Sequence, residues 1–259
     1  MRTILRLSLV SCVTLAGLVA PASFAQNTNG AASNAVPVPG TNSVAVNAAI
    51  IPVPRTDPTN WLARHEGFVR EAQKGGIDIL FMGDSITDGW RNRGLTVWSQ
   101  YYAPRHAANF GIGGDRTEHV LWRLENGELD GIKPKVIVLM IGTNNTGKDR
   151  NSVPEIIAGV QAVVGELRAK LPDSKVLLLG IFPRSALGDL QRAQVALVNT
   201  VIAKLDDGKM VKYLDIGPKF LEADGTLPRS IMPDLLHPNR QGYEIWAEAM
   251  GPTLDEMLK

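Results

Sequence analysis

Five apolar runs recur along the chain: Ile77–Met82, Ala107–Phe110, Val136–Ile141, Val176–Ile181 and Val211–Leu214. They are continuous rather than alternating, which predicts strands buried on both faces, as in a parallel sheet. Between them the apolar positions repeat with helical period. Pro58 to Lys74 sets Trp61, Leu62, His65, Phe68 and Val69 on one stripe, and Thr117 to Leu124 groups Val120, Leu121 and Leu124. Ser152 to Leu171 opens on Ser-Val-Pro-Glu, an N-cap followed by Pro and Glu in the first turn. Leu190 to Leu205 and Gln241 to Leu258 complete the set. Strand–helix alternation over about 200 residues predicts a doubly wound α/β layer structure. In such folds ligands bind beyond the carboxyl ends of the strands, so chemistry is expected just after each run.

The first 56 residues break this pattern. Arg2 and Arg6, an apolar stretch from Leu7 to Ala20, and Ser23-Phe24-Ala25 read as a signal peptide over 1–25, with cleavage after Ala25. The apolar stretch falls short of the roughly 20 residues that span a bilayer, so no stable membrane insertion is expected. The expected location is secreted or periplasmic. Residues 26–56 are rich in Asn, Ala, Val and Pro, with Arg55 the only charge, and are expected to be a flexible segment. A strand or arm lying on the domain is the other reading. The folding unit is then 57–259.

Composition narrows the function. The 259 residues carry 27 Lys and Arg against 26 Asp and Glu, a net charge of +1. Signal cleavage removes two arginines and no acid, leaving a net −1. Neither value favours nucleic acid as a partner. Cys12 is the only cysteine and lies in the signal segment, which excludes an intrachain disulfide, a cysteine-cluster metal site and a cysteine nucleophile in the mature protein.

Candidate chemistry follows the runs as expected. After the first comes Gly83-Asp84-Ser85-Ile86-Thr87-Asp88, where Ser85 is placed either as a nucleophile or as a helix cap. Thr87 stands where the nucleophile elbow of α/β-hydrolases has its last glycine. After the second comes Gly111-Ile112-Gly113-Gly114-Asp115. Arg116 occupies the third glycine position of a dinucleotide fingerprint, and the turn follows the second strand, so no nucleotide cofactor is expected. The glycines would let a backbone N–H approach a ligand, or simply form a tight turn. After the third run, Asn144 in Gly142-Thr143-Asn144-Asn145-Thr146 offers a side-chain donor, or satisfies its own turn. It is formally a glycosylation sequon. Before the last helix, Asp234-Leu235-Leu236-His237-Pro238 spaces a carboxylate and an imidazole within reach of each other. The carboxylate would hold Nδ1–H and leave Nε2 facing a serine. Of the four histidines, His237 alone is expected to have both a carboxylate and a loop setting.

With these residues in place, the chain resembles the SGNH hydrolases, the GDSL esterase superfamily. Gly83-Asp84-Ser85, Gly114, Asn144 and Asp234-x-x-His237 match its blocks. Asn109 to Asp115, His119 to Leu129 and Gly142 to Asn145 resemble, more closely, the catalytic subunits of the intracellular platelet-activating-factor acetylhydrolase. The resemblance implies a three-layer α/β/α sandwich with a five-stranded parallel sheet of order 2-1-3-4-5. It implies Ser85 as nucleophile, His237 as base and Asp234 as its partner. The oxyanion hole would be formed by Ser85 N–H, Gly114 N–H and the Asn144 amide. No metal or cofactor is implied.

The function expected is a serine esterase cleaving short-chain acyl esters, acetyl above all, from a small-molecule or saccharide alcohol. A carbohydrate is expected because exported bacterial members of the superfamily often deacetylate polysaccharides. Ile86 and Leu236 flank the serine and the histidine and would narrow the acyl side, unless they only pack the core. A lipid acyl hydrolase and a non-catalytic carbohydrate-binding module are the alternatives. The resemblance also admits a homodimer.

Overall fold

The structure is a computed structural model that describes residues 46–56 and 60–259. Five parallel strands form one sheet: β1 (Ile79–Gly83), β2 (Ala107–Asn109), β3 (Val136–Met140), β4 (Lys175–Leu179) and β5 (Val211–Leu214). Their order is 2-1-3-4-5, as the family resemblance implies. β1 and β3 sit side by side at the centre, with Gly83 level with Met140. Both strands therefore end at one height, and the loops that follow them converge there.

The helices are α1 (Trp61–Lys74), α2 (Ser85–Asp88), α3 (Leu95–Tyr101), α4 (Thr117–Glu125), α5 (Val153–Lys170), α6 (Leu190–Ile202) and α7 (Arg240–Met257). Strand alternation divides the core between the two faces of the sheet. Leu80, Met82, Ile137 and Leu139 point to a layer that includes Phe68, Leu121, Val160 and Val198, from α1, α4, α5 and α6. Ile79, Phe81, Val136 and Val138 point to the other, with Val97 from α3 and Tyr243 and Trp246 from α7. Both faces are covered, which is why the strands read as unbroken apolar runs.

Three local expectations change. Leu62 is half-exposed at the edge of the α1 stripe. The segment between β1 and β2, which carries no sustained apolar period, folds into α2 and α3 around an aromatic cluster. There Trp90 stands 5.2 Å from Tyr102 and 4.4 Å from Tyr243, centroid to centroid.

The third change concerns the N-terminal segment. Residues 46–56, expected to belong to a flexible stretch, pack as an arm on the domain. Ala49 is fully buried and its carbonyl accepts from the Thr117 hydroxyl at 2.8 Å. Val53 N–H donates to the Glu118 carbonyl, and Arg55 donates to the Gly113 carbonyl. The physical reason is that backbone and small side chains suffice to satisfy the start of α4, so low charge and high proline did not signal freedom. The expectations for 1–25 and 26–45 lie outside the described residues.

Candidate active site

Ser85 stands at the first position of α2, directly beyond β1. The reversal from strand to helix is so tight that a Cβ on Gly83 would lie 2.3 Å from Thr87 Oγ1 and 2.4 Å from the Met140 carbonyl; only glycine fits. Asp84, not Ser85, caps the helix: its Oδ1 accepts from Ile86 N–H at 2.9 Å. The serine hydroxyl is thereby left for other work.

That hydroxyl meets His237. Ser85 Oγ lies 2.8 Å from His237 Nε2, across 152 positions of sequence. On the far side of the ring, Nδ1 donates to Asp234 Oδ2 at 2.6 Å. Asp234 Oδ1 accepts from the backbone N–H groups of Leu236 and His237. Burial works against ionisation of this carboxyl, but the bonds from His237 and the backbone outweigh it and lower its pKa to about 2. The turn that joins the pair is strained: Leu235 has φ 57°, in the left-handed region. It is pinned by its own N–H to the Met232 carbonyl and by Ser185 N–H to its carbonyl, both at 2.8 Å.

The turn after β2 is bolted to the serine turn. Asn109 donates from Nδ2 to the Thr87 carbonyl at 2.9 Å and accepts from Gly111 N–H. Asp88 binds Arg64 through both oxygens, at 2.6 and 2.7 Å, and both Arg64 and Arg91 donate to the Gly111 carbonyl. Gly114 takes φ 83°, a conformation natural to glycine. Asn144, at the short turn Thr143–Asn145 beyond β3, is half-buried, and its Nδ2 donates to the Asp115 carbonyl at 2.9 Å. An amide nitrogen carries two hydrogens, so a second donor remains. Gly114 and Asn144 line the same cleft.

Not every expected residue reaches the surface. Ile86 is 1 % exposed and packs in the core layer with Trp90 and Tyr243, so it contributes no acyl wall. It points inward as the second residue of α2, which starts at Ser85. Leu236 is half-buried beside His237.

His237 is also not alone in having a carboxylate. His65 Nδ1 lies 3.0 Å from Glu128, and His106 Nδ1 lies 2.9 Å from Asp78. Local spacing could not show either pair, since their members are 63 and 28 positions apart. The first belongs to a buried network in which Arg123 spans Glu128 at 2.8 Å and Asp115 at 3.1 Å, and Trp61 donates to Asp115 at 2.7 Å. It lies away from any serine and fixes the Asp115 turn.

Two supporting residues had no legible signal as such. Arg184 donates to the Thr143 carbonyl at 3.0 Å, and the buried Asn145 accepts from Thr117 N–H at 3.1 Å. Both steady the turn that presents Asn144. Asp84 is 1 % exposed with Oδ2 unpartnered, and burial pushes its pKa up to about 7. Among the described residues, no three His, Cys, Asp or Glu side chains cluster as a metal site would require, and no helix is long and apolar enough to cross a membrane.

Comparison with known proteins shows the family. Residues 81–245 match the GDSL-like lipase/acylhydrolase family. The human platelet-activating factor acetylhydrolase IB subunit alpha1 is 35 % identical over 216 residues, covering 82 % of this chain and 91 % of its own. The chicken alpha2 subunit is 40 % identical over 178 residues, covering 68 % and 76 %. Among solved structures, an acetylxylan esterase from Geobacillus stearothermophilus superposes with a TM-score of 0.55 at 21 % identity, over 71 % of this chain and 94 % of that one. A GDSL-like lipase from Bacteroides thetaiotaomicron gives 0.59 at 17 % identity, over 75 % and 98 %. These structural likenesses bear on the fold; the sequence matches carry the family. With a hydroxyl, an imidazole and a carboxylate in line at the strand ends, and a family match over most of the domain, the chain belongs to the GDSL-like lipase/acylhydrolase family and is an ester hydrolase.

Proposed function

We propose that the protein removes short acyl groups, acetyl above all, from a small or saccharide alcohol through an acyl-enzyme on Ser85. The observation that carries this is the unbroken line from Ser85 Oγ through His237 to Asp234. His237 takes the hydroxyl proton as Ser85 attacks the ester carbonyl, and Asp234 holds the imidazole in the tautomer that leaves Nε2 free to accept. The oxyanion faces Ser85 N–H, Gly114 N–H and the remaining Asn144 N–H. The alcohol departs with the proton from His237, and water repeats the sequence on the acyl-enzyme. The relatives support an acetyl group: one set is named for an acetylhydrolase, the other for an acetylxylan esterase.

The test is hydrolysis of 4-nitrophenyl acetate, butyrate and octanoate by wild type and Ser85→Ala. The variant should keep its circular dichroism spectrum and lose nearly all turnover. Turnover near the wild-type rate would remove Ser85 from the mechanism, and an octanoate preference would sink the acetyl reading.

A further inference from the structure

A cleft of about 450 Å³ opens on the oxyanion side of the site, with Gly114 and Asn144 in its wall. Its chemistry is one-sided. Arg55, Arg116 and Arg150 line it together with His119, and among the described residues no carboxylate does. Asp115 is fully buried and pairs with Arg55 at 3.5 Å, and Glu118, 4 % exposed, pairs with Arg116 at 2.6 Å. Those pairs hold two guanidinium groups in place. Arg150 is exposed and has no acidic partner among the described residues.

The cleft is adjacent to the nucleophile. A Cβ on Gly113 would stand 3.6 Å from Ser85 Cβ, and one on Gly114 would stand 3.0 Å from the Arg55 guanidinium. Successive residues of one turn thus touch the serine and the arginine. Among the described residues, Val53 and Pro54 are the only sizeable apolar side chains in the lining, too little to hold a lipid chain.

We propose that this cleft receives a carboxylate borne by the alcohol part of the substrate, so that the preferred esters are those of acidic saccharides such as acylated uronic acids. Guanidinium forks match a carboxylate in two parallel hydrogen bonds, and the hydroxyl-rich remainder of a sugar suits the polar wall. The inference rests on the esterase reading of Ser85 and adds the substrate class. It also gives the N-terminal arm a role, because Arg55 belongs to it.

The test compares acetylated glucuronic acid with acetylated glucuronamide, in which a neutral amide replaces the carboxylate, and with acetylated glycerol phosphate. Released acetate is measured for wild type, Arg150→Ala and Arg150→Glu, with 4-nitrophenyl acetate as a neutral reference. The acid should exceed the amide by about tenfold in kcat/KM, the scale of a charge-assisted hydrogen bond. Arg150→Ala should remove most of that ratio through KM, Arg150→Glu should invert it, and the neutral reference should not move. Equal rates for acid and amide, or a ratio that survives both variants, would overturn the inference while leaving the esterase standing. A preference for the phosphate over the uronic acid would overturn it in favour of a phosphate ligand. Absence of turnover on every acetyl ester, the neutral reference included, would overturn the esterase reading and this inference with it.

Discussion

The Tyr243 hydroxyl donates to the Ile86 carbonyl at 2.6 Å, joining the last helix to the turn that carries the serine. Both groups are buried. α7 follows the Asp234–His237 turn directly, so this one bond connects the two halves of the Ser85–His237–Asp234 line. Tyr243→Phe keeps the ring and removes this donor from the buried carbonyl. Stability should fall by about 1–3 kcal/mol in urea unfolding. If the bond also positions Ser85, kcat should fall severalfold with KM little changed. A variant that loses stability alone would reduce the bond to a structural role.

Asn144 should matter to the transition state and little to the ground state. Its amide is already aimed by the Asp115 carbonyl, so no reorganisation is needed as charge develops. Asn144→Ala should lower kcat by about 10²–10³ with KM near wild type, as loss of one oxyanion donor does. A change confined to KM on 4-nitrophenyl acetate would show that Asn144 only binds substrate.

Asp84 makes a pH prediction for folding. Burial raises its pKa from 3.8 to about 7, so between these values the folded protein holds a proton that the unfolded chain releases. Stability from this group is therefore full below pH 4 and declines as pH rises to 7. Asp115, raised by burial to about 6, has the same sign. Asp84→Asn retains an oxygen for Ile86 N–H and cannot ionise. Its unfolding free energy should gain on wild type between pH 4 and 7, by an amount on the order of 2–4 kcal/mol. An unchanged slope against pH would show that Asp84 is ionised in the fold.

The sheet was legible because its strands are buried on both faces. β5 matches the expected run to the residue, β2 and β3 end one residue earlier, and β1 and β4 shift by one or two positions at both ends. The Ser85, Asp234 and His237 positions were legible because each follows a strand end or a short local spacing. What was hidden depends on distance. Glu128 meets His65, and Ala49 meets Thr117, only after the chain has folded back on itself. For Ile86 the core-packing alternative holds, because proximity to Ser85 in sequence says nothing about which side of a short helix a residue takes. For residues 46–56 the arm alternative holds for a related cause: they bond largely through backbone groups, and these leave no mark in composition.

The buried Ala49 carries a practical consequence. Its carbonyl occupies the Thr117 hydroxyl at the first residue of α4, and four positions on Val53 N–H engages Glu118. The catalytic body thus begins by residue 49, ahead of the first full helix. A recombinant form trimmed to start at Trp61 would keep every residue of the Ser85–His237–Asp234 line and still expose the seam beside α4. The natural place to add a purification tag is upstream of Val46, where none of these bonds is cut.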